Sequence, residues 1–469
     1  MDLRDKFVCS HCIGDPFVSK NIEEEGKSVR CNYCNKTRQC IDIDTLSDWV
    51  DEVFGRYYQI GEEHPVFIQD QDDPEWERSG EDPDTIIAEL LEADELISND
   101  LVRILSEKES WNVAREGAYP YYEDTFEYEE IPIDDSEYSS HWKEFCGLLK
   151  HQSRFFNKEA IDLLDNLFVG IEELKYYGDK SPLRIVDGNS EERFFIRVRR
   201  ANSPEIRKRI CLQPWKELGP PSKQIIPANR MNPAGIPVLY GAFELETCLC
   251  ELRLNSGETA ISCQFEIIEP LQVMDLTVFE KIFDRLSMFD PDYERKAGWL
   301  KFIRKFDAEI SKPVLAHEET LEYIPTQALV EYLANHHQQQ IDAIIYSSPQ
   351  SGGIGKNIAI LTHAASVEAS GEPNTDDIVL SDFEEYQGEY GYSIFEHSKE
   401  KIELDKSVEN GLEFSDNKAE PEEPKEEMSS KLRIVPNSLK IHRILGIQVN
   451  AESDPVSIFP KDFKENFDI

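Results

Sequence analysis

The chain has 469 residues, an apolar fraction of 40% and a formal net charge of −43, so it is long enough for two or three domains with buried cores. It contains no run of about 18 uncharged apolar residues and no secretory signal pattern, which predicts a cytoplasmic protein without a membrane span. Two segments, 48–140 and 366–430, carry −24 and −15 of the charge. Such segments repel nucleic acid and are typical of solvated surface, and a specific basic partner is the alternative.

The first 40 residues predict a zinc ribbon. They hold two pairs of cysteines at the spacing of a four-thiolate site, namely Cys9 with Cys12 and Cys31 with Cys34. Four thiolates close a tetrahedron and leave no open position, so the predicted zinc is structural. His11 and Cys40 are the substitute ligands if one cysteine is assigned wrongly. Redox chemistry is the other interpretation, but one pair would suffice for it and no thioredoxin-like pattern surrounds these cysteines.

Residues 41–180 predict an acidic helical domain. In "TIIAELLEADELISNDLVRIL" the apolar residues recur at about 3.6, and they are Ile86, Leu90, Ile97, Leu101 and Leu105. The segment 140–177 predicts one or two amphipathic helices, whose inward residues are Trp142, Phe145, Leu149, Phe156, Leu163 and Leu167.

From about residue 190 the pattern changes to short apolar or alternating runs between Gly and Pro, which predict strands. These runs are "RFFIRVRRA", "GIPVLYGA", "AISCQFEII", "QVMDLTVF", "DAIIYSS" and "IAILTHA". The segment "KLRIVPNSLKIHRILGIQV" predicts a final hairpin or strand. We therefore expect an α+β domain over 190–365 and 431–450, interrupted by the acidic segment 366–430, whose composition favours a disordered insertion.

The segment "NRMNPAGIPVLYGAFELETCLCELR", residues 229–253, resembles the core motif of the RES domain family. Three further segments follow in the family's order and resemble its later motifs: "VMDLT", "YIPTQALVEYL" and "DAIIYSSPQSGGIGKNIAIL". The resemblance implies an ADP-ribosyltransferase-like fold and an enzyme that consumes NAD. It also implies that the region before the RES domain is of the HEPN/RES type. Small members of the family are toxins that a partner protein blocks, so an inhibitory partner or antitoxin is one expectation, and the greater length of this chain favours regulation by its own N-terminal half instead.

The resemblance places the family's site residues on Arg230, Tyr240, Glu251 and Ser348, with Ser347 as the alternative serine. Arg197 and Arg199 resemble the R-x-R pattern of the strand that opens the family's domain, and Arg199 is assigned as a further ligand of the dinucleotide, with a solvated strand face as the alternative.

Cleavage of the nicotinamide–ribose bond of NAD requires side chains of these types, independently of the resemblance. A carboxylate stabilises the oxocarbenium-like ribose that forms when nicotinamide leaves, and a planar guanidinium binds the diphosphate. A tyrosine ring stacks on nicotinamide, and a serine hydroxyl binds ribose or phosphate. Water as acceptor would give ADP-ribose, and phosphate would give ADP-ribose 1″-phosphate. The segment "SGGIGK" lacks the spacing of a nucleotide-binding P-loop.

Two other functions stay open at this point. One is a non-catalytic, zinc-containing interaction protein with a vestigial RES domain. The other is a HEPN-type RNase, which would require an arginine and a histidine separated by four to six residues on a helix. Arg154 has no such histidine, and the pair Arg4 and His11 lies in the zinc region. The long N-terminal half favours regulation of the RES domain by residues 1–180.

Overall fold

The computed structural model describes residues 3–66, 75–116, 122, 126–221, 226–337, 339–369 and 429–448. Most of the predicted acidic insertion lies outside the described residues, as do residues 449 and 450 of the predicted RES domain. In the described ranges no helix combines the length and the apolar character that crossing a bilayer requires. Helices and strands are both abundant, which confirms the predicted α+β class.

The strands, numbered in chain order, are β1 (Phe7–Cys9), β2 (Lys27–Arg30), β3 (Thr37–Asp42), β4 (Tyr58–Ile60), β5 (Glu63–Val66), β6 (Glu75–Arg78), β7 (Tyr128–Glu130), β8 (Leu183–Val186), β9 (Phe194–Arg200), β10 (Leu239–Ala242), β11 (Thr259–Ile267), β12 (Leu271–Asp275), β13 (Ala343–Ser347), β14 (Lys356–Ile360), β15 (Leu432–Ile434) and β16 (Lys440–Arg443). The helices are α1 (Pro16–Glu25), α2 (Ile43–Tyr57), α3 (Pro83–Leu91), α4 (Glu95–Glu116), α5 (Ser136–His151), α6 (Lys158–Phe168), α7 (Pro204–Leu212), α8 (Pro214–Glu217), α9 (Leu245–Glu251), α10 (Tyr293–Ile310), α11 (Glu319–Glu322) and α12 (Ile324–Asn335).

The chain forms two compact units. The first comprises Met1–Pro182 with Val278–Asp307, and the second comprises Leu183–Thr277 with Ala308–Ile469. Most of α10 therefore groups with the N-terminal unit, whereas the sequence pattern places residues 278–307 inside the interval 190–365.

The first unit begins with a three-stranded antiparallel sheet in the order β1–β3–β2. The helix α1 follows because the Asp15 carboxylate accepts hydrogen bonds from the amides of Phe17 and Val18, which no helical carbonyl can satisfy. The carboxylate of Asp42 caps α2 in the same way through the amide of Thr45. Capping by aspartate at both helices fixes where the chain leaves the cysteine-bearing sheet.

Helices α3 and α4 correspond to the single helical stretch that the sequence predicts around residues 85–105. The stretch is broken at Glu92, which adopts a left-handed backbone conformation with φ of 46° and caps α3. The predicted inward face is nevertheless buried in both helices at Ile86, Ile97, Leu101 and Leu105, with Leu90 partly buried.

Helices α5, α6 and α10 pack around aromatic residues in the first unit. The ring of Phe306 on α10 lies 5.0 Å from Trp142 and 5.2 Å from Phe168, both at edge-to-face angles. The indole Nε1 of Trp299 donates to the Leu167 carbonyl at 2.8 Å. The segment 278–307 is thus an integral part of this helical core.

The prediction that Phe156 faces inward is wrong. Phe156 is fully exposed, because α5 ends at His151 and Phe156 lies in the connection to α6 with φ of 55°. The 3.6-residue pattern holds only while the helix continues, so it does not apply to this residue.

The second unit is built on a nine-stranded sheet in the order β15–β11–β9–β10–β14–β13–β12–β8, with β16 also paired to β11. The pair β12–β13 is parallel and the other pairs are antiparallel. All six strands predicted between 190 and 365 are confirmed. The final segment forms two strands that both pair with β11 rather than with each other, so it is not a hairpin.

The sheet has the fewest paired residues between β9 and β10. These strands are paired at one position only, where Ala242 lies opposite Ile196. By contrast β9 pairs with β11 along its whole length, from Phe194 to Arg200. The two halves of the sheet therefore separate beside this single pair, and side chains of both strands line the space between them.

The chain passes out of the sheet after β14 and returns to it at β15 at almost the same place. Val367 forms a parallel bridge with Leu432. The amide of Leu432 donates to the Ser366 carbonyl at 3.0 Å, and the amide of Glu368 donates to the Leu432 carbonyl at 2.7 Å. Residues before 370 and after 428 are thus held side by side.

A polar cluster around Asp342 fastens the same region. Its Oδ1 accepts hydrogen bonds from His363 Nε2 at 3.0 Å and from Lys431 Nζ at 3.2 Å, and its Oδ2 accepts from the amide of Gln272 at 2.9 Å. Burial acts to raise the pKa of Asp342, but these hydrogen bonds outweigh it and lower the pKa to about 2. The cluster connects the start of β13, the end of β14 and the start of β15.

Candidate active site

A cavity of about 830 Å³ opens in the second unit where β9 and β10 separate. Its walls come from β9, β10, α9, β14 and the segment around α11. The volume is within the range of roughly 300–1,000 Å³ that small-molecule sites occupy. Arg230, Tyr240, Glu251 and Arg199, which the sequence predicts as site residues, all line it.

Glu251 is the last residue of α9, and its carboxylate is held at the cavity wall by two hydrogen bonds. Thr247 and Cys248, one turn earlier, are buried and fix the orientation of the helix. Glu251 Oε1 accepts from Ser348 Oγ at 2.6 Å and from Asn357 Nδ2 at 2.7 Å. No other residue in the described ranges donates to this carboxylate, so its second oxygen is available to a ligand.

Ser348 is the serine that contacts Glu251. It is fully buried in the loop after β13, where its amide donates to the Gly355 carbonyl at 2.8 Å and its carbonyl accepts from Gly353 at 2.9 Å. Ser347 is the last residue of β13 and pairs with Lys356 in the sheet. The geometry therefore associates Ser348, rather than Ser347, with the carboxylate.

The loop that carries Ser348 approaches α9 closely, and Gly355 makes this approach sterically allowed. A Cβ atom at Gly355 would collide with the side chain of Thr247. Gly355, the last glycine of "SGGIGK", thus has a packing role beside Glu251 instead of a role in a phosphate-binding loop.

Tyr240 on β10 fastens the loop that precedes it. Its hydroxyl donates to Asn232 Oδ1 at 2.7 Å and accepts from the amide of Met231 at 3.1 Å. Burial raises the pKa of Tyr240, so the phenol stays protonated at neutral pH. Since the hydroxyl is engaged by the protein, the ring face is the part of Tyr240 that a ligand can use.

Arg230, in the loop held by Tyr240, is directed to backbone carbonyls. It donates to the carbonyl of Ile310, which the end of α10 leaves without a helical partner, and at 2.7 Å to the carbonyl of Lys312 just beyond the helix. Its guanidinium carbon lies 4.8 Å from the ring centroid of Tyr323. Arg230 therefore holds one wall of the cavity together and contributes positive charge to it.

Two arginines of β9 differ in how far protein groups neutralise them. Arg199 Nη1 donates to Glu217 Oε2 at 2.7 Å and to the Glu217 carbonyl at 2.6 Å. Arg197 Nη1 donates to the Tyr240 carbonyl at 2.6 Å, and its buried Nε has no partner among the described residues. Burial lowers the pKa of Arg197 to about 10, which leaves it charged at neutral pH.

Positive groups outnumber negative ones around the cavity. The lining cations are Arg197, Arg199, Arg209, Lys216, Arg230 and Arg253, and the lining carboxylates are Glu217, Glu251 and Glu319. In a chain with a net charge of −43 this local excess is the reverse of the overall balance. The cavity is therefore suited to an anionic ligand.

One residue of the site, Asn357, is not among the residues that the sequence predicts. Asn357 is nearly fully buried and is the polar residue at the start of the otherwise apolar run "NIAIL", which is the signal that could have identified it. Of the two arginines on the opening strand, Arg197 donates to the Tyr240 carbonyl and Arg199 is paired with Glu217, a difference that the sequence does not indicate.

The four predicted metal ligands meet in the first unit. The sulfur of Cys9 lies 3.6 Å from those of Cys12 and Cys34, and Cys12 lies 3.9 Å from Cys31. A zinc–sulfur distance of about 2.3 Å in a tetrahedron requires sulfur separations of roughly 3.8 Å. The arrangement is therefore compatible with structural zinc, and within the described part of the chain no other group of three or more His, Cys, Asp or Glu residues is positioned to hold a metal.

The substitute ligands occupy other environments. The thiol of Cys40 donates to the carbonyls of Arg38 and Val29 at 3.3 and 3.5 Å, and His11 Nδ1 lies 3.4 Å from Ser10 Oγ. Neither belongs to the group of close ligands.

Family comparisons agree with this architecture. The model of the RES domain matches residues 208–380, and the model named HEPN/RES N-terminal domain 1 matches residues 24–162. No curated protein and no solved structure has significant similarity to the chain. The RES match contains Arg230, Tyr240, Glu251 and Ser348, and most of the residues that line the cavity lie in the matched region, whereas those on β9 precede it. The chain therefore contains a RES domain, preceded by a HEPN/RES-type N-terminal region.

Proposed function

We propose that the second unit cleaves the bond between nicotinamide and ribose in NAD, in the cavity around Glu251. The RES domain supports an NAD-related function in general terms. The observation that carries the specific reaction is the Glu251 carboxylate, which two donors hold through one oxygen at the wall of a cation-rich cavity.

The proposed reaction needs a fixed negative charge near the ribose. When the C1′–N bond breaks, its electron pair leaves with nicotinamide, which becomes neutral, and positive charge develops on C1′ and the ring oxygen. The free oxygen of Glu251 stabilises this charge or orients the ribose hydroxyls, and it needs little reorganisation because Ser348 and Asn357 already fix the carboxylate. Water that attacks C1′ loses a proton and gives ADP-ribose, whereas phosphate gives ADP-ribose 1″-phosphate.

The remaining predicted residues take roles that follow from their contacts. Arg197 is the diphosphate ligand in this proposal, because it lines the cavity and has an unpaired N–H, and Arg199 adds positive charge two residues further along the strand. Tyr240 offers its ring to nicotinamide, since its hydroxyl is bonded to Asn232. Arg230 stabilises one wall of the cavity through its hydrogen bond to the Lys312 carbonyl. Ser348 acts as a positioning residue for Glu251.

We also propose that the chain is organised as a zinc ribbon over 1–40, a helical domain over 41–180, a RES domain of ADP-ribosyltransferase-like fold over 190–365 and 431–450, and an acidic insertion over 366–430. Regulation of the RES domain by the N-terminal half, or by an inhibitory partner, belongs to the same proposal.

Regulation is best tested with the whole chain. The first compact unit includes Val278–Asp307, so cutting at residue 180 would remove the partners of Phe306 and Trp299. A truncated protein would then expose aromatic surface for reasons unrelated to regulation.

The decisive experiment is nicotinamide release from NAD by the purified full chain, with and without inorganic phosphate, followed by chromatography of both products. Replacing Glu251 by Gln is expected to lower the rate by about 10²–10³-fold, the usual effect of removing one preorganised electrostatic group. Glu246→Gln is the matched control, because Glu246 is an exposed residue of the same helix.

Two results would contradict the proposal. One is the absence of nicotinamide release by the wild-type chain in water and in phosphate, which would favour the non-catalytic interaction protein. The other is equal activity of the Glu251→Gln and Glu246→Gln variants.

A further inference from the structure

A second cationic group lies in the same cavity, at the side formed by α7 and α8. It consists of Arg199, Arg209 and Lys216 arranged around Glu217, and we call it the Glu217 cluster. Glu217 binds one guanidinium with each carboxylate oxygen: Oε2 accepts a hydrogen bond from Arg199 Nη1 at 2.7 Å, and Oε1 forms an ion pair with Arg209 Nε at 2.7 Å.

The carboxylate of Glu217 acts as a brace and leaves the cations accessible. Its side chain is only 13% exposed, whereas those of Arg199 and Arg209 are 42% and 55% exposed. Each guanidinium uses one nitrogen in these contacts. Its other nitrogens donate to no described residue, so they are available to a ligand in the cavity.

Lys216, next to Glu217 on α8, adds a third positive charge. It is exposed, it lines the cavity, and no carboxylate in the described ranges lies within ion-pair distance of its ammonium group. The cluster thus carries three positive charges against one negative charge, which leaves an excess of two.

This excess matches one kind of anion. Each phosphoryl group of a dinucleotide's diphosphate carries one negative charge, and the nearby Arg197 is a suitable ligand for it. A phosphate monoester carries about −1.5 to −2 at pH 7 and offers three acceptor oxygens. Arg199 lies two residues along β9 from Arg197, which separates the two positions by roughly 7 Å. There is therefore room for two distinct anionic groups.

We infer that the Glu217 cluster is a subsite for a phosphate monoester, separate from the diphosphate ligands. The inference rests on the proposed function for the location of the dinucleotide and extends it to the substrate class. The doubly charged phosphate could come from the adenosine 2′-phosphate of a phosphorylated dinucleotide or from free inorganic phosphate, and the two sources share the same chemistry.

The test measures binding without turnover. Calorimetry with the full-length chain compares ADP-ribose with its 2′-phosphorylated form, each with and without inorganic phosphate. Because charge-assisted hydrogen bonds contribute strongly, the 2′-phosphorylated ligand is expected to bind at least about tenfold more tightly. The double variant Arg209→Ala, Lys216→Ala is expected to reduce this preference to less than about threefold. Lys208→Ala, an exposed cation of α7 outside the cavity, should retain it.

The arms of the experiment separate the outcomes. Phosphate that weakens only the 2′-phosphorylated ligand supports the subsite with the dinucleotide as its source. Phosphate that binds the wild type but not the double variant, with no preference between the two nucleotides, supports the subsite with free phosphate as its source. A preference that survives in the double variant, or no phosphate binding of either kind, overturns the inference. An intact preference in a chain that cleaves no NAD would refute the proposed reaction and leave the subsite standing.

Discussion

The two hydrogen bonds to Glu251 lead to the sharpest prediction. Ser348 Oγ and Asn357 Nδ2 both donate to Oε1, so each alone restrains the carboxylate and both together fix it. Replacing Ser348 or Asn357 by Ala removes one donor and leaves the negative charge in place. The carboxylate then turns toward other positions, and its free oxygen is less often directed at the ribose.

The magnitude follows from the strength of hydrogen bonds to charged groups, about 1.5–3 kcal/mol each. If most of this energy serves the transition state, each single variant loses roughly 10–150-fold in kcat, at about 1.4 kcal/mol per factor of ten. KM for NAD should change by less than about threefold, because neither residue is a proposed ligand of the diphosphate. The double variant should lose less than the product of the two single losses, since both donors act on one oxygen.

The assay is steady-state nicotinamide release, with the unfolding temperature of each variant as a check on folding. Asn335→Ala is a suitable control, because Asn335 is an exposed asparagine at the end of α12. The reasoning is refuted if both single variants keep more than a third of the wild-type kcat while remaining folded. It is also refuted if the loss appears in KM alone.

Three further predictions concern other parts of the molecule. The purified chain should contain one zinc ion by elemental analysis, and Cys31→Ser should lose it while Cys40→Ser retains it; metal retained in Cys31→Ser would exclude the four-thiolate site. Asp342→Asn should lower the free energy of unfolding by about 2 kcal/mol at pH 7, because the pKa of about 2 is lower than the unfolded value near 3.9. Stability from such a lowered pKa is present above pH 4 and is lost as the pH falls toward 2. The difference in free energy of unfolding between wild type and variant, measured by chemical denaturation, should therefore shrink over that interval. A difference that stays constant with pH would contradict the role of the lowered pKa. Gly355→Ala should lower stability by about 1–3 kcal/mol and reduce NAD cleavage, because the added methyl group displaces the Ser348 loop from α9; unchanged unfolding and activity would show that the loop can yield.

The strands of the second unit could be predicted because each is a short apolar or alternating run between turn residues. Their order could not, since pairings such as β10 with β14 join segments more than a hundred residues apart. The helical pattern was less secure at its ends. Glu92 interrupts the stretch between α3 and α4, and Phe156 falls beyond the end of α5, because periodicity carries no information on where a helix stops.

The candidate site shows the same division. Motif resemblance placed Arg230, Tyr240 and Glu251 at the cavity, and geometry alone associated Ser348 with Glu251. Asn357 could not be assigned from sequence, because its importance arises from a contact across 106 positions of chain. The contacts that individual site residues make could not be predicted either. Nothing in the sequence near Arg230 indicates that its side chain binds carbonyls at the end of α10.

The bridge between Val367 and Leu432 has a practical consequence. Since the main chain departs and re-enters at neighbouring points, the number of residues between them can change without altering the register of β14 or β15. Natural variation in length is therefore tolerable at this position, and a reporter domain or an affinity tag could be spliced in between residues 370 and 428 while the cavity on β9 and β10 keeps its shape.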